Sequence, residues 1–295
     1  MRFRYASAAR SFYGSLLLLA IALVASAHAE WKILSTESEP GRAGIEHRHL
    51  IVEDAAVGQS VTIDLAVFSS KSTALRVIDN PDGQSLGAMM KREKFVCGVN
   101  GGYFDTEFKP IGLRVADGTT FSPVRRARLI TGILLQSDRG IDVIRVSEFS
   151  GTKKIIAAIQ SGPFLVEGNK PIRGLNDSQV ARRTFAGIAT NDRAFLGFCS
   201  EVSLAELANM VATMPIVADS KIRRAMNLDG GSSSASGSYA RTAAHSQLQG
   251  ESRCAILWLS FRSKARSFRA KSRNPVASTS SNSARSFDCS SLCSG

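Results

Sequence analysis

Short apolar and β-branched runs, closed off by Gly, Asn, Asp or Pro, recur from about residue 60 to residue 200. VTIDLAVF (61–68), FVCGVN (95–100), RLITGILLQ (128–136), IDVIRV (141–146), KIIAAI (154–159), TFAGIAT (184–190) and AFLGF (194–198) each have the length and composition of a strand. Asn191-Asp192-Arg193 predicts a hairpin turn between the last two. Two stretches carry a helical pattern. One is SLGAMMKR, about 85–92. The other runs from 203 to about 213, where Ser203 and Glu206 have capping-box spacing and Leu204, Leu207 and Met210/Val211 share a face. Many strands and few helices predict a single α+β domain, with a mixed or largely antiparallel sheet and a few flanking helices. The regular helical crossovers of a doubly wound parallel fold are missing.

The two ends of the chain break this pattern. Arg2, Arg4 and Arg10 precede the apolar run LLLLAIALVASA (16–27), and Ala27-His28-Ala29 fits a small-x-small cleavage site. Residues 1–29 therefore read as a signal peptide with a mature start at Glu30. A retained membrane anchor is the rival, but the run is short for a span of about 20 residues. The expected protein is exported, periplasmic or extracellular, with no stable membrane span after cleavage. At the other end, residues 261–295 are rich in Ser and Arg and poor in apolar residues, so they read as a disordered tail. That leaves 30–260 as the domain.

Charge changes the picture less than its total suggests. The net charge is +12, yet the leader carries +3 and the tail a net +6, leaving +3 for residues 30–260. The body is nearly balanced and shows no basic helix or aromatic RNA-binding signature, so no nucleic-acid partner is expected. Five cysteines, Cys97, Cys199, Cys254, Cys289 and Cys293, cannot all pair within one chain. Cys97 and Cys199 lie in apolar strand-like runs and read as free buried thiols.

Four stretches share one arrangement: an apolar strand meets polar residues and glycine at one end. They are VNGGYFD (99–105), IQSGPFLV (159–166), ARRTFAGI (181–188) and MNLDGGSSSAS (226–236). Strand ends put side chains at the rim of a sheet, on a rigid base. In the first, Gly101 and Gly102 allow a sharp turn or close approach of a ligand, Asn100 offers donor and acceptor, and Asp105 a carboxylate or a turn cap. In the last, Asn227 and Asp229 fall on one face. Gly230 and Gly231 open access, and backbone N–H groups with the hydroxyls of Ser232 and Ser233 suit an anion. In the third, alternation puts Arg182 and Arg183 on opposite faces, so only one reaches a pocket, and Arg183 is favoured as a guanidinium fork. In the second, Gln160 and Ser161 precede the Gly162-Pro163 turn. A nucleophilic Ser161 lacks a His in recognisable spacing. His47-x-His49 puts two imidazoles on one strand face without an apparent third ligand, and reads as surface polarity.

Taken in order over about residues 45–240, these stretches resemble the phosphodiester glycosidase family. NGGYFD resembles its Asn-Gly-Gly-aromatic-aromatic segment, QSGPFLV its Gly-Pro segment, RRTFAGI its Arg-centred strand and NLDGGSSS its Asp-Gly-Gly segment. The resemblance implies hydrolysis of a sugar joined through its anomeric carbon to a phosphodiester, a carbohydrate substrate of the GlcNAc-α-1-phosphate ester type, in envelope or exopolysaccharide metabolism. Such a leaving group is already a stable anion, so a strong general acid matters less than for an ordinary glycoside. Arg183 is then expected to hold the phosphate and Asp229 to act as base or nucleophile, with Asp105 supporting it. Asn100 and Asn227 orient the sugar. Gly101, Gly102, Gly230 and Gly231 bring backbone N–H groups to phosphate oxygens, and Gln160, Ser161, Gly162, Ser232 and Ser233 line the substrate site. No cofactor is assigned. Two Asp and two Asn also suit Ca²⁺ or Mg²⁺, but their spacing matches no standard metal loop. A binding module for anionic polysaccharide would keep Arg183 without needing the carboxylate, and a hydrolase attacking phosphorus is the other alternative. After residue 240 the family's closing strand is poorly matched, though ESRCAILWLSF still has strand composition.

Overall fold

Period-two alternation in the sequence becomes a stack of β-sheets. The computed structural model describes residues 30–78, 80, 84–107, 109–151, 154–231, 236–239, 244–245 and 256–261. The elements run β1 (Trp31–Pro40), β2 (Glu46–Asp54), β3 (Gln59–Ser69), β4 (Thr73–Ile78), α1 (Leu86–Glu93), β5 (Cys97–Asn100), β6 (Arg114–Ala116), β7 (Thr119–Ser122), β8 (Gly132–Ser137) and β9 (Gly140–Arg145). They continue with β10 (Ile155–Ser161), β11 (Phe164–Glu167), β12 (Lys170–Pro171), β13 (Ala181–Ala189), β14 (Arg193–Val202), α2 (Leu204–Thr213), β15 (Ile222–Asn227), β16 (Ser236–Tyr239), β17 (Ala244–His245) and β18 (Ile256–Phe261). The described residues all fall within one compact unit. Residues 1–29, and those beyond residue 261, lie outside the described residues.

An eight-stranded sheet has the order β1-β2-β3-β14-β13-β15-β11-β12. Two five-stranded sheets have the orders β7-β6-β10-β8-β9 and β17-β16-β5-β18-β4. Every described ladder is antiparallel. The largely antiparallel sheet expected from the sequence is present, but α+β understates the strand content. The described structure is mostly β, with two α-helices. The missed strands include β1 and β2, whose long hairpin is too polar on one face to read as a core element.

The large sheet buries both faces. From β3, Ile63, Leu65 and Val67 face a core shared with Leu207, Ala208, Met210 and Val211 of α2. The alternate residues Ala66 and Phe68 face a second core with Leu75, Val77, Cys97, Val99, Leu134, Val143 and Ile159 from the two smaller sheets. The hairpin joining β13 and β14 turns on Asn191 (φ 58°) and Asp192 (φ 54°), two left-handed residues whose twist matches that of the flanking strands. Within it, Phe185 stands opposite Gly197 and Phe195 opposite Gly187. A Cβ at either glycine would collide with the facing ring, so each glycine makes room for an aromatic of the neighbouring strand. The capping box of α2 is formed: Ser203 Oγ accepts from Glu206 N at 3.2 Å, and Ser203 N donates to Glu206 Oε2 at 2.8 Å. The backbone of β18 lies between β4 and β5, so the stretch after residue 250 does close a sheet.

Candidate active site at converging strand ends

The C-terminal ends of β5 and β15 meet the N-terminal part of β13. Backbone bonds tie them together: Asp229 N donates to Gly101 O at 2.9 Å, and Leu228 N to Thr184 O at 2.8 Å. Asn100 locks the junction, donating from Nδ2 to Asp229 O at 2.7 Å and accepting from Thr184 Oγ1 at 2.6 Å. Around it, Tyr103 Oη donates to Gly162 O at 2.8 Å, and Asn227 Nδ2 donates to Tyr103 Oη at 3.1 Å, to Gly162 O at 3.3 Å and to Leu228 O. The two asparagine side chains thus hold the strand ends in register. The Asn227 Oδ1 and Ser161 Oγ atoms are buried without a hydrogen-bond partner.

Arg183 and Asp229 come together here. Arg183 Nη1 lies 3.8 Å from where a Cβ on Gly230 would stand, an ordinary contact distance that puts the guanidinium against this turn, and the tighter neighbour is Arg182 O at 3.1 Å. Asp229, 9 % exposed, accepts from Gly230 N through Oδ1 at 2.9 Å. Gly231 follows with φ 65°, a backbone state that glycine adopts without strain. Arg183, 8 % exposed, donates from Nε to Val202 O at 3.0 Å and from Nη2 to Gln179 O at 2.6 Å. It forms no ion pair with any described residue, and burial lowers its pKa from the ordinary arginine value. Burial also pushes the Tyr103 phenol up to about 12, helped by the charge of Asp229, so Tyr103 remains a hydrogen-bond donor throughout the neutral range.

Other expected members stand elsewhere or do something else. Asp105 is exposed, and its Oδ1 accepts from Glu107 N and Lys109 N, both at 2.9 Å, so it closes its own turn rather than supporting Asp229. Gly102 presses on strand β10: a Cβ there would sit 2.8 Å from Gln160 O. Gln160 is buried, with both ends of its amide bonded to backbone groups, so it binds the protein rather than a ligand. Ser161 is wholly buried. Ser232 and Ser233 lie outside the described residues. Sequence reasoning missed Tyr103 and Thr184. Both sat inside the quoted motifs, and Thr184 carried a signal, because alternation with Arg183 sends it to the face where Asn100 arrives.

His47 and His49 are not mere surface polarity. Both face Asp64 of β3, with His49 Nδ1 at 2.7 Å and His47 Nε2 at 3.6 Å from its Oδ1. Burial acts to raise the Asp64 carboxyl, but the two imidazoles outweigh it and hold its pKa below the ordinary value. No group of three or more His, Cys, Asp or Glu among the described residues is arranged to hold a metal ion. Cys97 and Cys199 are free and buried, and desolvation raises both thiol pKa values. Cys254, Cys289 and Cys293 fall outside the described residues. Among the described residues no helix is long and apolar enough to cross a membrane.

The fold resembles that of solved structures. A hypothetical protein from Synechocystis is similar in fold, with a TM-score of 0.52 at 12% identity over 77% of this chain. This chain spans 64% of that protein's length. The catalytic domain of zebrafish N-acetylglucosamine-1-phosphodiester alpha-N-acetylglucosaminidase, solved auto-inhibited by its pro-peptide, aligns with a TM-score of 0.49 at 13% identity, over 79% of this chain and 84% of that one. No curated protein matches the sequence. The sequence profile of the phosphodiester glycosidases matches residues 93–253, a stretch holding all four strand-end motifs and both Arg183 and Asp229. With more than half of its length so matched, the chain belongs to the phosphodiester glycosidase family.

Proposed function

We propose that the protein is an exported hydrolase that releases a sugar from a sugar-1-phosphodiester, of the GlcNAc-α-1-phosphate ester type, in envelope or exopolysaccharide metabolism. One observation carries the reading: Arg183 is a buried cation with no carboxylate partner among the described residues, beside the Asp229–Gly230 turn. Burying an ion without an opposite charge is costly, by several kcal/mol even after relaxation, so such a site favours an arriving anion. A phosphodiester supplies that anion. A guanidinium can meet two of its oxygens, which a lysine ammonium does less well.

In this reading Arg183 holds the phosphate and Asp229 faces the anomeric carbon as base or nucleophile. The C1–O bond breaks, its electron pair leaves on the phosphate monoester, the hydroxyl of water ends on C1, and the remaining proton of that water passes through Asp229 to the monoester or to solvent. The leaving group needs little protonation because the monoester is a stable anion. Tyr103, Asn227, Asn100 and Thr184 act at one remove, by fixing the strand ends that carry Asp229. Export rests on the leader-like residues 1–29.

Incubating the purified protein with the methyl ester of GlcNAc-α-1-phosphate tests the reading. Free GlcNAc and methyl phosphate are expected. Methanol with GlcNAc-1-phosphate would mean attack at phosphorus, and binding without turnover would mean a carbohydrate-binding module.

A further inference from the structure

Gln160 stands beside the site but serves a different segment. Its Oε1 accepts from Leu113 N at 2.9 Å and Arg125 N at 3.0 Å, while its Nε2 donates to Ile130 O at 2.9 Å and to Arg125 O. One buried side chain thereby clamps the loop PVRRARLI at 123–130 at two points, Arg125 and Ile130. The far end of that loop is packed on the candidate site: a Cβ on Gly162 would collide with Leu129 O and stand 2.8 Å from Thr131 N. Gly162 O is the acceptor shared by Tyr103 and Asn227.

This clamped loop carries Arg125, Arg126 and Arg128, all exposed. None of the three forms an ion pair with a described residue. Elsewhere on the surface Arg145 and Arg224 are neutralised by Glu167 and Glu148. Three like charges on four consecutive residues repel one another, and a loop free to spread would relieve that repulsion. Here the Gln160 clamp holds the backbone that bears them, so much of the ordering cost of meeting an anion is met in advance. Arg183 accounts for one phosphate at the site. The neighbouring charge asks for more.

We propose that the loop at 123–130 is a second anion subsite, one that holds a neighbouring phosphate of a substrate carrying several phosphodiesters. The proposal rests on the reading of Arg183 and Asp229 given above and narrows its substrate class to a polyanionic glycan chain. A single sugar phosphate ester would leave the loop empty.

The experiment compares wild type with the triple variant Arg125→Gln, Arg126→Gln, Arg128→Gln on two substrates at low salt. One is the methyl ester of GlcNAc-α-1-phosphate; the other is a short oligomer of GlcNAc units linked by 1-phosphodiesters. The ratio of kcat/KM on the oligomer to kcat/KM on the ester is expected to fall about tenfold or more in the variant. That gap should shrink as salt screens the exposed charges. An unchanged ratio overturns the subsite and leaves the catalytic reading standing. Should wild type cleave neither substrate, the catalytic reading fails and binding decides: calorimetry must show the oligomer bound about tenfold more weakly by the triple variant, and equal binding overturns the subsite. Duplex DNA or anionic phospholipid vesicles bound as tightly as the oligomer, with the same dependence on the three arginines, would also overturn it.

Discussion

The paired arginines Arg145 and Arg224 and the lone Arg183 stand in opposite electrostatic settings. Arg145 of β9 grips Glu167 of β11 through Nε at 3.1 and 3.0 Å and through Nη2 at 2.5 Å. Arg224 grips Glu148 at 2.6 and 2.8 Å. These side chains are about a quarter exposed or more, and each charge is cancelled within the protein. Arg183 is more deeply buried, yet its described acceptors are two backbone carbonyls. A buried charge needs more compensation than an exposed one, and on that ground Arg183 is the arginine proposed to receive an anionic partner. The paired arginines staple strands β9, β11 and β15, whereas Arg183 stands beside Gly230, next in the chain to Asp229.

The largest expected effect breaks the comparison at its catalytic end. Asp229→Asn should lower turnover about a hundredfold or more, on the order of 2.7–4 kcal/mol, with an unchanged circular dichroism spectrum. Near wild-type turnover would remove Asp229 from the chemistry. Next comes Arg183→Gln, expected to lower kcat/KM by about a hundredfold, with Arg183→Lys failing to restore it because one ammonium cannot replace the fork. Inorganic phosphate should raise the thermal midpoint of wild type by binding the native state, and Arg183→Gln should abolish that protection. Arg224→Gln, whose charge is already cancelled, should retain the phosphate effect. Were both variants to lose it equally, the contrast between Arg183 and the paired arginines would fall.

Tyr103→Phe is a smaller, structural test. It removes the donor to Gly162 O and the acceptor of Asn227 Nδ2, both buried, so a loss of about 1–2 kcal/mol in urea unfolding is expected. The smallest effect lies in the paired cluster. The hydrogen bonds from Arg224 and Arg145 hold the Glu148 and Glu167 carboxyls below their ordinary value of 4.5. Their stabilisation is therefore present above that value and lost as pH falls through the lower folded-state values. Because both carboxylates are more than a third exposed, screening limits it to about 0–1 kcal/mol. Thermal melts from pH 6 to pH 3 of wild type and of the variant Glu148→Gln, Glu167→Gln should differ by no more than that. A larger difference would mean that this cluster, too, carries charge the fold depends on.

The legible part of the sequence was whatever short-range pattern determines. The hairpin turn at Asn191-Asp192 needs left-handed residues, and the Ser203–Glu206 box is satisfied within one helical turn, so both showed in the chain. Strand ends were also visible, which is why Arg183 and Asp229 could be expected to meet. The roles of Asp105 and Gln160 were not. Asp105 has the same residue type whether it serves a ligand or its own turn, and only the positions of Glu107 and Lys109 N decide. Gln160 bonds to residues 30 to 47 positions away, a pairing that no local pattern encodes. The fold class leaned toward α+β because β1 and β2 alternate too many polar residues to count as core, and their burial comes from the sheet they join.

The central claim, cleavage of the sugar–oxygen bond at the Arg183–Asp229 site, is tested most directly by hydrolysing the methyl ester of GlcNAc-α-1-phosphate in water enriched in oxygen-18. The account predicts that the label appears at C1 of the released sugar in wild type and that release drops about a hundredfold in Asp229→Asn. Label recovered in the phosphate, or turnover that Asp229→Asn leaves intact, would contradict it.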